Sequence, residues 1–130
     1  MTLNDPLANA LAKIWNAEKI GRKECDVKPV SKVILATLKI LNEKGYIGEF
    51  KVVEDTRGNK IHINLLGKIN KCSVIKPRYP VKTDNFEKFE KRFLPAKNFG
   101  LIIVSTNKGI ITGNEAKEKN LGGRLLAYCY

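Results

Sequence analysis

The strongest constraint on the fold of this chain lies near its end. Leu101, Ile102, Ile103 and Val104 form an unbroken apolar run, and the 26 residues from Ser105 to Tyr130 then mix turn formers with apolar pairs. A run of that length bounded by turn residues suits a buried strand, which puts Ser105, Thr106 and Asn107 at a rigid strand end with three short hydrogen-bonding side chains presented together. Asn107-Lys108-Gly109 reads as a turn in which Gly109 can take positive φ, after which Ile110 and Ile111 return to the core. Thr112 and Glu115 have the spacing of a capping box, so a short helix is expected there, with Gly122-Gly123 ending it. Residues without Cβ also let another backbone come close, so this pair suits either the turn or the approach of a partner.

The first half has a more regular pattern. Asp5 is an N-cap candidate with Pro6 at the first helical position, and Ala8, Leu11, Ala12 and Trp15 repeat at helical spacing until Gly21. Cys25 to Val30 suits a short strand. Ser31 then caps a second helix whose Ile34, Leu35, Leu38 and Leu41 line one side before Gly45 stops it. Phe50 and Val52 alternate with polar neighbours, as do Ile61, Ile63 and Leu65, and Asp55 to Asn59 between them reads as a hairpin loop. Around Leu66-Gly67-Lys68 the sequence becomes basic and proline-punctuated. Beyond it, short strands are expected near Ser73 to Ile75, Leu101 to Val104 and Arg124 to Tyr130, with Pro77 and Pro80 breaking any regular strand between them. Phe86, Phe89 and Phe93 sit at helical spacings in a charged run and read as a core stripe rather than as stacking partners for bases. The expected fold class is therefore α+β in two small modules: residues 1–66 as α-β-α-β-β, and residues 67–130 as mostly β with a short helix.

Charge narrows the function. The chain has 24 basic and 13 acidic residues, a net charge of +11, and residues 68–130 hold 13 of the basic and 5 of the acidic ones, so that half alone carries +8. Lys68, Lys71, Lys76, Arg78 and Lys82 follow one another with no acid between them, as phosphate neutralisation requires, although a solvated basic loop has the same composition. Tyr79, in Lys76-Pro77-Arg78-Tyr79-Pro80, is an aromatic held among cations and suits either stacking on a base or packing in a turn.

Enzyme readings lack their parts. There is no G-x-S-x-G elbow, no phosphate-cradling G-x-x-x-x-G-K and no identifiable base for Ser105, so no catalytic residue is expected. Cys25, Cys72 and Cys129 are odd in number and too widely spaced for a paired metal motif, and read as free buried thiols. The single histidine, His62, stands between two isoleucines on a strand and reads as structural. No metal, cofactor or small-molecule substrate is expected. Without a long apolar stretch or a signal-like start, a membrane partner is not expected either, and the cytoplasm is the expected location. A DNA-binding regulator with the Ser31 to Glu43 helix as its reading element fits less well, because that helix spends its face on apolar residues. Irregular RNA, with displaced bases and 2′-hydroxyls, suits a polar turn beside a double glycine better.

The C-terminal stretch Ser105-Thr106-Asn107-Lys108-Gly109-Ile110-Ile111-Thr112, then Glu115-Ala116, then Gly122-Gly123-Arg124 and the aromatic finish, resembles the signature of the family of the eighth protein of the small ribosomal subunit. Asn4-Asp5-Pro6-Leu7-Ala8 with Ile14-Trp15-Asn16-Ala17 is similar to that family's opening helix, and Pro29-Val30-Ser31-Lys32 to the start of its second. The segments Gly58 to Pro80 and Phe86 to Asn98 look like its archaeal and eukaryotic branch. Asn107, Gly113 and Arg124 depart from common family choices. The resemblance implies a non-catalytic constituent of the ribosome that binds a helix in the central domain of small-subunit RNA and helps assemble the platform beside other small-subunit proteins. It further implies that Ser105, Thr106 and Asn107, with Lys108, read the RNA, that Gly122 and Gly123 allow close approach, that Tyr79 and Arg78 add stacking and charge, and that Ser31, Lys32 and Asn4 touch phosphates. A general nucleic-acid-binding regulator, or a secondary role as a repressor of messenger RNA, is the alternative.

Overall fold

The computed structural model describes residues 6–28, 30–54, 56–75, 78–96 and 99–130. The chain falls into two compact units, Met1–Cys72 and Ser73–Tyr130.

In the first unit the order is helix α1 (Pro6–Lys19), strand β1 (Glu24–Val27), helix α2 (Lys32–Glu43), and strands β2 (Ile47–Val53) and β3 (Lys60–Leu65). This is the expected α-β-α-β-β series. The antiparallel sheet has the order β1-β3-β2, with Val27 opposite Ile61 and Cys25 opposite Ile63. Burial alternates along β3, where Ile61, Ile63 and Leu65 are buried while His62 is half-buried and Asn64 exposed, as a sheet with one covered face requires. Ser31 caps α2, its Oγ accepting from Ile34 N at 3.2 Å. The proposed cap of α1, Asp5, lies outside the described residues, as does Asn4.

Two details of α1 differ from the sequence pattern. Its buried stripe is Leu7, Ala10, Leu11, Ile14 and Ala17, whereas Ala12 is exposed and Ala8 and Trp15 are half-buried. The helix is apolar enough to offer two overlapping stripes, and packing selected the one that buries Ile14. Trp15 instead takes a rim position, where its ring is half-covered and its Nε1 donates to Asn70 O at 3.0 Å with Lys19 Nζ 4.3 Å from the ring centre, a common use of an amphipathic side chain. The same anchoring bears on the division between units. Ile69 and Cys72 are buried, and Gly67 N donates to Glu18 Oε1, so the segment after the compositional shift at Leu66-Gly67 is fastened to the first unit and the division falls at Cys72.

The second unit is built on a five-stranded antiparallel sheet ordered β4-β8-β6-β7, with β5 also paired to β8: β4 is Cys72–Val74, β5 Pro80–Val81, β6 Leu101–Thr106, β7 Gly109–Thr112 and β8 Gly123–Cys129. A 3-10 turn at Thr83–Asn85 leads into helix α3 (Phe86–Phe93), and α4 spans Gly113–Glu118. Phe86 and Phe89 are buried with Ile102, Val104, Leu125 and Tyr128, so the phenylalanine stripe is core, as its spacing indicates. On the alternate positions of the same strands Leu101, Ile103, Ala127 and Cys129 are buried too. Thr112 caps α4 by accepting from Glu115 N at 3.2 Å. The double glycine does not end that helix. Asn120 does, at φ 55°, with Asn120 N donating to Lys117 O and Leu121 N to Ala116 O. Asparagine tolerates the left-handed region, and Leu121 completes the motif by packing on the core.

Candidate nucleic-acid interface

The polar turn forms as its sequence indicates. β6 and β7 pair as a tight hairpin, Thr106 opposite Gly109 and Ser105 opposite Ile110, and Gly109 takes φ 116°, a conformation that a side chain would oppose. Asn107 and Lys108 project at the tip, both exposed. The neighbouring hydroxyls then differ. Thr106 Oγ1 donates to Gly109 O at 2.8 Å and accepts from Lys108 N at 3.2 Å, so it is spent on fixing the hairpin. No hydrogen bond within the described residues engages Ser105 Oγ or the Asn107 carboxamide, and those groups are free for a partner.

On the other side of β6 runs β8, with Ser105 opposite Arg124 and Thr106 opposite Gly123. A Cβ built on Gly123 would lie 2.1 Å from Ser105 O, and one on Gly122 would lie 2.8 Å from Val81 O. The close approach these glycines allow is therefore made by the protein's own strands, β6 and β5. Because Gly123 carries no side chain, the surface opposite Thr106 stays open. The result is a shallow opening of about 470 Å³ lined by Arg78, Pro80, Ser105, Thr106, Asn107, Gly123, Arg124 and Leu126.

Of the residues singled out from sequence, Ser105, Thr106, Asn107, Gly123 and Arg78 meet in this opening, while Lys108 and Gly122 stand exposed in the adjoining turn and strand start. Arg124 lines it too and was not among the expected contacts. Its signal was available in retrospect: it follows the double glycine at the start of a strand, where an exposed cation must lie beside whatever the neighbouring strand presents. Tyr79 is half-buried against the core, its ring 5.5 Å from that of Phe89 and 5.3 Å from the Arg92 guanidinium. Ser31 and Lys32 lie at the start of α2 in the first unit, where the Ser31 hydroxyl already serves as the cap and Lys32 is exposed.

His62 bridges two carboxylates across the first sheet, with Nδ1 2.7 Å from Asp26 Oδ1 and Nε2 3.1 Å from Glu24 Oε2. The bond to His62 holds the Asp26 carboxyl below its usual range, against the opposing effect of burial and with the aid of Lys60. Cys25, Cys72 and Cys129 are all buried thiols, and among the described residues no group of three or more His, Cys, Asp or Glu side chains is placed to hold a metal. No described helix is long and apolar enough to cross a membrane.

A polar strand end flanked by arginines, with hydrogen-bonding groups that are unpaired among the described residues, can offer donors, acceptors and positive charge to an anionic polymer. The family model described as Ribosomal protein S8 matches residues 5–130, nearly the whole chain, and the chain belongs to that family. It is thus a structural protein of the small ribosomal subunit that binds ribosomal RNA, its place is the ribosome, and its family is not one of enzymes.

Proposed function

We propose that this protein docks on a bent or bulged helix in the central domain of small-subunit RNA and helps assemble the platform of the subunit, through the opening beside the Ser105 turn. The observation that carries the proposal is the contrast inside that opening: the Ser105 hydroxyl and the Asn107 carboxamide are unpaired among the described residues, on a backbone made rigid by β7 and β8, with the guanidinium-bearing Arg78 and Arg124 on the same rim. Rigid unpaired donors and acceptors suit base edges and ribose hydroxyls in a wide minor groove, and the arginines suit the flanking phosphates. Lys108 adds charge at the hairpin tip, while Gly122 and Gly123 act indirectly, by letting β5 and β6 close on β8. In the first unit Lys32, at the N-terminus of α2, supplies a phosphate contact beside the Ser31 cap, and Asn4 a further one. Tyr79 acts by holding Arg92 and the adjoining strand in place, and stacks on a base only where RNA displaces that guanidinium.

Footprinting on full-length small-subunit RNA tests this reading. Protection should concentrate on one helix of the central domain, and log affinity should fall against log salt with a slope of about −4 for roughly five phosphate contacts. Protection spread evenly over the RNA would reduce the interaction to general basicity.

A further inference from the structure

The first unit has a recognition surface of its own at the edge of its sheet. β3 is central in the order β1-β3-β2, so among the described residues β1 is paired on one side only. Leu65 N donates to Lys23 O at 2.8 Å, and this fixes the alternation along β1: Cys25 and Val27 direct their backbone groups to β3, while those of Glu24 and Asp26 point outward. The outward Glu24 N–H and C=O and the Asp26 N–H have no partner among the described residues, and the Asp26 carbonyl has only a long contact of 3.8 Å from Cys25 Sγ. Beside this edge lies an open cleft of about 980 Å³ whose other wall is α1 and the turn after it, with Lys13, Ala17, Ile20, Arg22 and Lys23 facing in.

The charges of the cleft do not cancel. Its two acids are engaged from within the sheet, Asp26 paired with Lys60 and in hydrogen-bond contact with His62, and Glu24 in contact with the other ring nitrogen of His62, whereas Lys13, Arg22 and Lys23 have no acidic partner among the described residues. The charges of Lys13 and Arg22 reach as far as the Cys25 thiol, where they oppose the upward push of burial. Ile20, 69% exposed, adds the one large apolar contact on this rim.

We propose that this cleft receives an extended acidic peptide segment of a partner protein, which adds to β1 as a fourth strand. Its backbone pairs with Glu24 and Asp26, its carboxylates meet Lys13, Arg22 and Lys23, and an apolar side chain between them lies on Ile20 and Ala17. Strand addition of this kind draws affinity from the backbone ladder and selectivity from alternate side chains. The phosphates of a nucleic acid fit less well, because their oxygens only accept and the outward carbonyl of Glu24 needs a donor.

The full chain can be titrated with a blocked heptapeptide of alternating glutamate and valine, with its lysine-for-glutamate counterpart, and with oligouridylate, while amide resonances and hydrogen exchange are followed. The acidic peptide should slow exchange at the Glu24 and Asp26 amides about tenfold and bind about tenfold better than the basic one. Glu24→Pro removes an outward donor that the native ladder does not use, and should abolish binding in a protein whose other amide resonances are unchanged. The double charge reversal Lys13→Glu with Lys23→Glu should invert the preference between the two peptides. The proposal is overturned if the acidic peptide binds without protecting Glu24 and Asp26, if it does not bind at millimolar concentration, or if oligouridylate produces the same protection.

Discussion

The two sheets of this protein solve the problem of burial differently. In the first unit β3 alternates, with Ile61 and Ile63 buried and His62 and Asn64 on a polar face whose carboxylates and imidazole satisfy one another. In the second, β6 is buried at Leu101, Ile102, Ile103 and Val104, on both faces, and turns polar only at Ser105. A one-sided sheet spreads its polar groups along its length, where they are solvated or paired with each other. A sheet buried on both faces has nowhere to put them except at strand ends, where Thr106 bonds within its own hairpin while Ser105 Oγ, rigidly held, has no partner among the described residues. That difference explains why the free hydrogen-bonding groups of the candidate interface gather at the end of β6.

The largest expected effect tests the contrast directly. Ile103 occupies in β6 the alternate position that Asn64 occupies in β3. Ile103→Ala should lower stability by about 3 kcal/mol, whereas Asn64→Ala should stay within about 0.5 kcal/mol, both read from urea midpoints. Equal costs would show that the two sheets are not buried differently. Next in size is Gly123→Ala, whose new Cβ would collide with Ser105 O. The β6–β8 register must then yield, at a cost of about 2 kcal/mol, and RNA affinity should fall in step with stability.

Smaller effects separate the two hydroxyls. Ser105→Ala should leave stability unchanged and weaken cognate RNA binding by about 1.5 kcal/mol, with binding to unrelated RNA hardly altered. Thr106→Ala releases the Gly109 carbonyl and the Lys108 amide, so it should cost about 1 kcal/mol of stability and lose specificity through the loosened turn. If Ser105→Ala keeps the full cognate-to-unrelated ratio in a folded protein, the turn is structural at both positions. The smallest effect lies in the first sheet. Because Asp26 is held below the usual value of 3.8 in the fold, its contribution is present above that pH and is lost as pH falls through the lower, folded value. Asp26→Asn should therefore be slightly less stable than the parent near neutrality, and the two denaturation curves should converge on acidification. A gap that does not narrow at all on acidification would assign the effect to packing instead.

Much of this was legible in the residues. The α-β-α-β-β series, the Ser31 and Thr112 caps, the core role of the phenylalanine stripe and the Asn107-Lys108-Gly109 hairpin all follow from contacts between residues a few positions apart, where pattern and propensity act directly. The buried stripe of α1 was not legible, because an apolar-rich helix offers two faces and only its partners choose between them. The end of α4 was misread for a related reason: the double glycine was the stronger local signal, but its missing Cβ atoms were required by β5 and β6, and Asn120 was left to take the left-handed turn.

What the sequence determined by itself, then, was most of the elements, though not the short strand β5 at Pro80–Val81, together with the family signature and the basic character, each of which resides in neighbouring residues or in simple sums over them. Tertiary structure alone decided that Arg124 stands beside Ser105, that Tyr79 is covered by Phe89 and Arg92, and that of two adjacent hydroxyls that of Thr106 is bonded while that of Ser105 has no partner among the described residues. The physical reason is that strand pairing joins residues distant in the chain, and whether a polar group is paired or available depends on which neighbour that pairing supplies.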